Sequence, residues 1–201
     1  MRSKQAPNPS ILADLIEKHR TGAEPKVAPD WDFEPGTCPD FPFRIARDGN
    51  WYYHGTPIER KELCKLFSSV LRRDREGNFY LVAPGEQGRI EVEDAPFTAV
   101  EVIVAGEGRD RMLTFRTNLD HMVTADADHP IRVAEHPETG EPSPYVLVRD
   151  NLEALILRPQ FYEMVDLCEE HRNGGFATLG LWSGGVFFQL GRVEEAAGLG
   201  T

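Results

Sequence analysis

Short strand-like runs separated by turn residues fill most of this sequence, and they restrict its fold more than any other feature. From Arg44 to Leu190, runs rich in Val, Ile, Phe and Tyr alternate with turn signals such as Asp48-Gly49, Pro84-Gly85 and Gly106-Glu107-Gly108. This spacing is typical of antiparallel strands joined by hairpins. The sequence therefore predicts an α+β fold in which strands supply most of the core.

The first half begins with a predicted hairpin and helix. Arg44–Arg47 and Trp51–Gly55 flank an Asp-Gly turn. Thr56-Pro57-Ile58-Glu59 has the pattern of a capping box, so a helix is predicted to start at Pro57 with Thr56 as its N-cap. Its apolar positions recur at helical spacing, which predicts one buried face, and Arg72 and Arg73 would complement the dipole at its end. The apolar positions are Leu63, Leu66, Phe67, Val70 and Leu71.

Further strands are predicted through both halves of the chain. They cover Asn78–Ala83, Arg89–Glu93, Thr98–Ala105, Met112–Arg116, Met122–Ala125, Ile131–Ala134, Tyr145–Arg149 and Leu152–Leu157. A second helix is predicted from Pro159 to Asn173-Gly174-Gly175, with Phe161, Val165 and Cys168 on one side. A final hairpin of Phe176–Trp182 and Val186–Leu190 would turn through Ser183-Gly184-Gly185.

The two halves share an internal pattern. Phe79–Val82 followed by Arg89–Phe97 can be aligned with Pro144–Val148 followed by Leu152–Phe161, because each reads strand, turn, strand, Pro and aromatic. Upstream, Thr56–Arg60 matches His129–Arg132, although the first helix has no counterpart in the second half. The pattern predicts two related but unequal lobes. The alternative is that Pro and aromatic residues recur at strand ends in any β-protein.

The N-terminal segment differs from the rest. A short amphipathic helix is predicted over Ser10–Arg20, followed by a strap over Thr21–Phe43 in which prolines prevent regular structure. The predicted organisation is residues 1–43 for the helix and Pro-rich strap, 44–97 and 98–192 for two β-rich subdomains, and 193–201 for a tail.

Charge and composition narrow the classes of partner. With 33 acidic against 22 basic residues the net charge is -11, which repels the phosphate backbone of nucleic acids. Neither a secretory leader nor a membrane-spanning run is evident, so we expect a cytoplasmic protein that binds neither nucleic acid nor membranes. Cys38, Cys64 and Cys168 lack the spacing of a disulfide framework or zinc site, and Cys64 and Cys168 are interpreted as core or half-buried thiols.

One polar cluster has the residue types of a metal site. Its members are Asn118, Asp120, His121, Asp126, Asp128 and His129. The spacing matches no known metal motif, and turns require the same residues, so turn chemistry is the preferred interpretation. The glycine-rich stretches do not form a P-loop, and a Gly-x-Ser-x-Gly elbow is absent. We therefore expect no cofactor, and binding in preference to catalysis.

Arginines at the ends of predicted elements are better candidates for a ligand site. Arginine binds anions bidentately, and a neighbouring aromatic ring could stack on a base. The candidate ligand-binding residues, placed near the expected interface between the lobes, are Arg60, Asn118, Arg149, Arg158 and Tyr162. The alternative is that these arginines only neutralise the abundant carboxylates.

Several sequence blocks occur in the order Asp48–Trp51, Gly55–Arg60, Leu66–Ser68, Val92–Phe97, Thr117-Asn118, His129–Arg132, Pro144–Arg149 and Leu152–Ile156. This ordered set of blocks resembles the bacterial domain-of-unknown-function family 1285. The resemblance implies two similar β-rich subdomains, the second superficially like a pleckstrin-homology domain, with a nucleotide-like ligand at their interface and a signalling role.

Together these features predict an α+β protein of two similar, mainly antiparallel lobes, each with a packed helix, plus an N-terminal helix. The expected function is a ligand-binding module for signal transduction, taking a small anionic, nucleotide-like molecule between its lobes. Two alternatives stay open. One is a metal-dependent enzyme that uses the Asp120–His129 cluster, and the other is an adaptor that binds a protein partner through Leu12–Ile16 and takes no small ligand.

Overall fold

The computed structural model describes residues 38–83, 86–135, 140–173 and 176–193. The chain divides into two compact units, Met1–Pro96 and Phe97–Thr201. The predicted N-terminal helix, most of the strap and the tail lie outside the described residues. In the described part of the chain, no helix is both long and apolar enough to cross a membrane.

Within its described residues, 38–83 and 86–96, the first unit contains one six-stranded sheet and one helix, α1. The strands follow the order β3-β2-β1-β6-β5-β4, in which β1 and β6 run parallel and every other neighbouring pair is antiparallel. In chain order the elements are β1 Asp40–Ile45, β2 Trp51–Tyr53, β3 Thr56–Pro57, α1 Lys61–Ser69, β4 Leu71–Arg73, β5 Phe79–Ala83 and β6 Glu86–Val92.

The second unit contains a second six-stranded sheet, then helix α2 and a three-stranded sheet. The six-stranded sheet comprises β7 Phe97–Ala105, β8 Met112–Thr117, β9 Met122–Thr124, β10 Ile131–Glu135, β11 Pro142–Arg149 and β12 Leu152–Ile156. The remaining elements are a 3-10 turn at Gly108–Asp110, α2 Arg158–Asp166, β13 Glu169–Asn173, β14 Phe176–Ser183 and β15 Val186–Val193. Helix α2 contacts β7.

Both six-stranded sheets have the same topology. Each is built from two three-stranded meanders, and the first and sixth strands of the unit pair in parallel at the centre. The predicted pair of similar β-rich lobes is therefore confirmed. The aligned segments around Phe79 and Pro144 belong to equivalent strands, β5–β6 and β11–β12. The upstream match is wrong, because Thr56-Pro57 forms a third strand whereas Ile131 starts a fourth.

The predicted start of the first helix is also wrong. Thr56 and Pro57 pair with Tyr53 and Tyr52 as β3, and α1 begins only at Lys61, with Arg60 as an N-cap that makes no side-chain capping bond. Backbone pairing with β2 across the turn at His54-Gly55 satisfies this segment, so a short local hairpin forms in place of the helix start that the capping-box pattern predicts. The helix ends at Ser69 because the following residues, Leu71–Arg73, pair with β5 as β4.

Two further predictions need correction. The second helix ends at Asp166, and Glu169–Asn173 pairs with β14 as β13 instead of continuing the helix. Its fully buried side chain is Met164, whereas Val165 is 38% exposed. The strap does not extend to Phe43, because β1 starts at Asp40.

The first hairpin and the final hairpin through Gly184 and Gly185 are confirmed, and both glycines have positive φ (56° and 76°).

Aromatic packing holds α1 against its sheet. The ring of Phe67, on α1, lies 5.1 Å from that of Phe43 on β1 and 6.1 Å from that of Trp51 on β2, measured between ring centroids. All three side chains are buried. Tilted and edge-on ring pairs of this kind add to the stabilisation that comes from buried area alone.

A buried hydroxyl joins the third sheet to the second six-stranded sheet. Ser183, at the end of β14, donates its Oγ–H to the Ala125 carbonyl oxygen (2.7 Å) and accepts the Leu113 N–H (2.9 Å). The Ser183 side chain is fully buried and satisfied on both sides, which is the condition for a polar group in a core.

Candidate functional site

A groove opens in the first unit beside its central strands. It has a volume of about 570 Å³ and is lined by Asp40–Arg44 of β1, by His54 and Gly55 after β2, and by Arg89–Glu91 of β6. Small-molecule sites in proteins typically occupy roughly 300–1,000 Å³ and combine apolar walls with a few polar groups. The groove therefore has the size and lining of a small-ligand site.

A break in the β1–β6 ladder creates the groove. Asp40 pairs with Arg89 and Arg44 pairs with Glu91, so three residues of β1 stand opposite the single residue Ile90. Pro42 lies within the break, and because it has no N–H it cannot donate to a ladder. On the side of β1 that faces β2, the Pro42 carbonyl oxygen accepts a hydrogen bond of 2.8 Å from the His54 N–H. Bulges of this type re-aim side chains and recur beside functional sites.

Phe41 forms part of the wall, and only glycine fits beneath it. A Cβ built on Gly88 of β6 would lie 2.3 Å from the Phe41 ring, which is shorter than any van der Waals contact. Ile90, also on β6, is buried. Because side chains alternate along a strand, the Phe41 ring and Ile90 lie on the face of β6 opposite to Arg89 and Glu91.

The charged side chains of the groove differ in their partners. Arg44 forms an ion pair with Glu93, and its guanidinium lies 4.4 Å from the centroid of the Tyr52 ring. Among the described residues, Asp40, Arg89 and Glu91 form no ion pair. Arg89 and Glu91 are also exposed, on alternate positions of β6. These three groups are therefore available to a ligand.

His54 lies at the rim in an unusual backbone conformation. Its φ is 48°, and the following Gly55 has a φ of 79°. The imidazole packs edge-on against Tyr53, with 4.5 Å between ring centroids. A residue other than glycine in the left-handed region costs on the order of 1–3 kcal/mol, and such strain clusters at binding sites. The fold thus holds an imidazole at the groove at some cost in stability.

The residues predicted to bind a ligand lie elsewhere. Arg60 is in the first unit, exposed at the start of α1. In the second unit, Asn118 follows β8, where its Oδ1 accepts the Thr98 N–H (3.1 Å) and its own N–H donates to the Thr98 carbonyl oxygen (2.8 Å). Asn118 therefore has a structural role in closing the β7–β8 pair.

The remaining three predicted residues lie on α2 or at the end of β11. Arg149 is mostly buried, with 16% of its side chain exposed, and lies 3.3 Å from Asp150 Oδ2. Arg158 is highly exposed and pairs with Glu141 at 3.1 Å. Tyr162 is exposed and lies one helical turn after Arg158, hence on the same face of α2. Their ligand-binding role stays a prediction.

The polar cluster proposed as an alternative metal site contains a turn built on Asp126. Its Oδ1 accepts the N–H groups of Asp128 (2.9 Å) and His129 (2.8 Å) and lies 3.2 Å from His129 Nδ1. These bonds, the His129 N–H foremost, hold the pKa of Asp126 below its usual value despite partial burial. Within the described ranges, no group of three or more His, Cys, Asp or Glu residues is placed to hold a metal ion.

Sequence reasoning missed the groove residues Arg44, His54 and Arg89. Two local signals pointed toward them. Pro42 interrupts a run that otherwise continues the strand of the first hairpin, which is typical of a bulge or an edge. The alternation of Arg89 and Glu91 with buried Gly88 and Ile90 places both charges on one face of β6.

Comparisons with known proteins cover both units. Models of the DUF1285 family match in succession, the N-terminal domain of unknown function over residues 28–95 and the C-terminal domain over residues 96–190. A crystal structure of a DUF1285 family protein from Silicibacter pomeroyi is 47% identical, with a TM-score of 0.77 over 89% of this chain and 95% of that chain. Another, from Shewanella baltica, is 25% identical, with a TM-score of 0.49 over 62% and 91% of the two chains. No curated protein matches.

Proposed function

We propose that this chain, which belongs to the DUF1285 family, is a ligand-binding module. It takes a small molecule with an anionic group into the groove between β1 and β6 of the first unit. The observation that carries the proposal is the break in the β1–β6 ladder. It opens a groove lined by Arg44 of β1 and Arg89 of β6.

The chemistry of these side chains suits an anion. A guanidinium group can donate two parallel hydrogen bonds to a carboxylate or phosphate, and these charge-assisted bonds are stronger than neutral ones. Arg89 has no ion-pair partner among the described residues, so binding to it breaks no existing pair. Arg44 already pairs with Glu93 and is the weaker candidate.

The proposal extends to a sensing role in signal transduction, in the cytoplasm. A reducing compartment agrees with Cys38, Cys64 and Cys168, which are free thiols. A competing version of the same function has a nucleotide-based ligand, which binds at the predicted residues around Arg149 and Arg158 instead of in the groove.

Thermal unfolding with added ligands tests the proposal. A ligand that binds only the folded state raises Tm, and at 100 times its Kd it adds about 2.7 kcal/mol of stability. The probes are inorganic phosphate, acetate and AMP at millimolar concentration. At least one should raise Tm, and Arg89→Ala should abolish the shift. Arg75→Ala, in the exposed turn between β4 and β5, should keep it.

The other outcomes contradict this location or the function. If Arg149→Ala removes the shift while Arg89→Ala keeps it, the site is the one predicted in the second unit and the groove proposal fails. If no anion shifts Tm and a divalent metal does, the binding proposal fails in favour of the metal-dependent alternative.

A further inference from the structure

The charges that line the groove alternate in sign. Asp40 stands opposite Arg89 and Arg44 stands opposite Glu91 in the register of the parallel pair. Register partners on neighbouring strands lie about 5 Å apart. Two oppositely charged pairs therefore face each other across the break, and together they contribute two guanidinium groups and two carboxylates to the groove.

Neither of these cross-strand pairs forms an ion pair. Arg44 turns to Glu93 instead of its register partner Glu91, and Asp40 and Arg89 form no ion pair with any described residue. The carboxylates of Asp40 and Glu91 and the guanidinium of Arg89 thus remain open to a ligand. In an ordinary ladder, opposite charges directly across from each other stabilise the sheet by pairing.

We propose that the ligand is a zwitterion of the amino-acid type. Its carboxylate binds Arg89, and its ammonium group binds the carboxylates of Asp40 and Glu91. This inference rests on the proposed function and specifies the chemical class of the ligand.

The charge balance favours a zwitterion over a phosphate dianion. A dianion in this groove would meet as many carboxylates as guanidinium groups, and each like-charge contact costs binding energy. A zwitterion satisfies both signs at once. The volume of about 570 Å³ also leaves room for a side chain well beyond that of glycine.

Three matched probes separate the contributions of the ligand's charges. L-leucine carries both charges, 4-methylpentanoate lacks the ammonium group, and 3-methylbutylamine lacks the carboxylate. Calorimetric titration should show leucine binding at least tenfold more tightly than either single-charge analogue. The double variant Asp40→Asn/Glu91→Gln should weaken leucine binding at least tenfold, whereas 4-methylpentanoate should bind as tightly as before or more tightly, because a like-charge repulsion is removed. Arg89→Ala should weaken both.

The outcomes distinguish this inference from the proposed function. If 4-methylpentanoate, acetate or phosphate binds through Arg89 as tightly as leucine, and the Asp40/Glu91 double variant changes nothing, the zwitterion inference is overturned and the anion-binding proposal stands. If none of the probes binds and no anion raises Tm, both are overturned. Circular dichroism of each variant checks that it retains the native fold.

Discussion

The Tyr80 hydroxyl donates a hydrogen bond of 3.0 Å to Oδ2 of Asp74, and both side chains are buried in the first unit. Asp74 also accepts the backbone N–H of Asn78 (2.8 Å) and its side-chain amide (3.0 Å). The carboxylate thus organises the turn that joins β4 to β5, and it connects this turn to the buried face of β5.

This relationship predicts a pH dependence of stability. Burial alone would raise the pKa of Asp74, but the bonds from Asn78 and Tyr80 outweigh it, and the net pKa lies below the usual value of 3.8. Because the folded pKa is lower than the unfolded one, this stabilisation is present above about pH 4 and is lost as pH falls through the folded pKa. Asp74→Asn should lower the free energy of unfolding at pH 7.

Urea unfolding at several pH values between roughly 7 and 2.5 measures this effect. Asp74→Asn should lose less stability on acidification than the parent protein, since its amide does not titrate. Asp110→Asn, in the exposed 3-10 turn, serves as the control and should follow the parent profile. An unchanged acid profile for Asp74→Asn would contradict the prediction.

Trp51→Ala should cost about 3–5 kcal/mol, as large aromatic truncations in cores do. Trp51 is 2% exposed and packs against Phe67 of α1, so its removal leaves a cavity between helix and sheet. Urea unfolding followed by far-UV circular dichroism measures the loss without relying on the fluorescence of the substituted residue. Trp51→Phe should cost less. A loss of unfolding free energy below about 1 kcal/mol for Trp51→Ala would mean that position 51 responds as an exposed residue does, and it would contradict the prediction.

Gly88→Ala should destabilise the first unit by about 1–3 kcal/mol, because the new methyl group overlaps the Phe41 ring. The double variant Phe41→Ala/Gly88→Ala should recover most of the Gly88→Ala cost, and a double-mutant cycle of unfolding free energies measures the coupling. Gly191→Ala is the matched control, since a Cβ there meets no atom within 4 Å. Additive effects at Phe41 and Gly88 would show that the two do not touch.

His54→Gly should be more stable than His54→Ala by roughly 1 kcal/mol, since only glycine adopts the left-handed conformation without a steric cost. Both substitutions remove the imidazole, so the difference between their urea unfolding midpoints isolates the backbone strain at φ 48°. Equal midpoints, or a more stable alanine variant, would contradict the strain assigned to this position.

Local sequence signals were sufficient to predict most of the secondary structure. The strands around Phe79, Arg89 and Tyr145 were predicted correctly, because side-chain alternation and turn residues are encoded within a few neighbours. The two-lobed plan was also predicted from the repeated order of strands and prolines. These features depend on short-range chemistry, which the sequence displays directly.

Tertiary structure decided the features that depend on distant pairings. The groove arises only when Asp40–Arg44 pairs with Arg89–Glu91 from the far end of the same unit. Register between such distant strands is set by the packing of the whole sheet, and a residue pattern within either strand does not contain it. The sequence therefore determined which elements form, whereas the fold determined which charges meet.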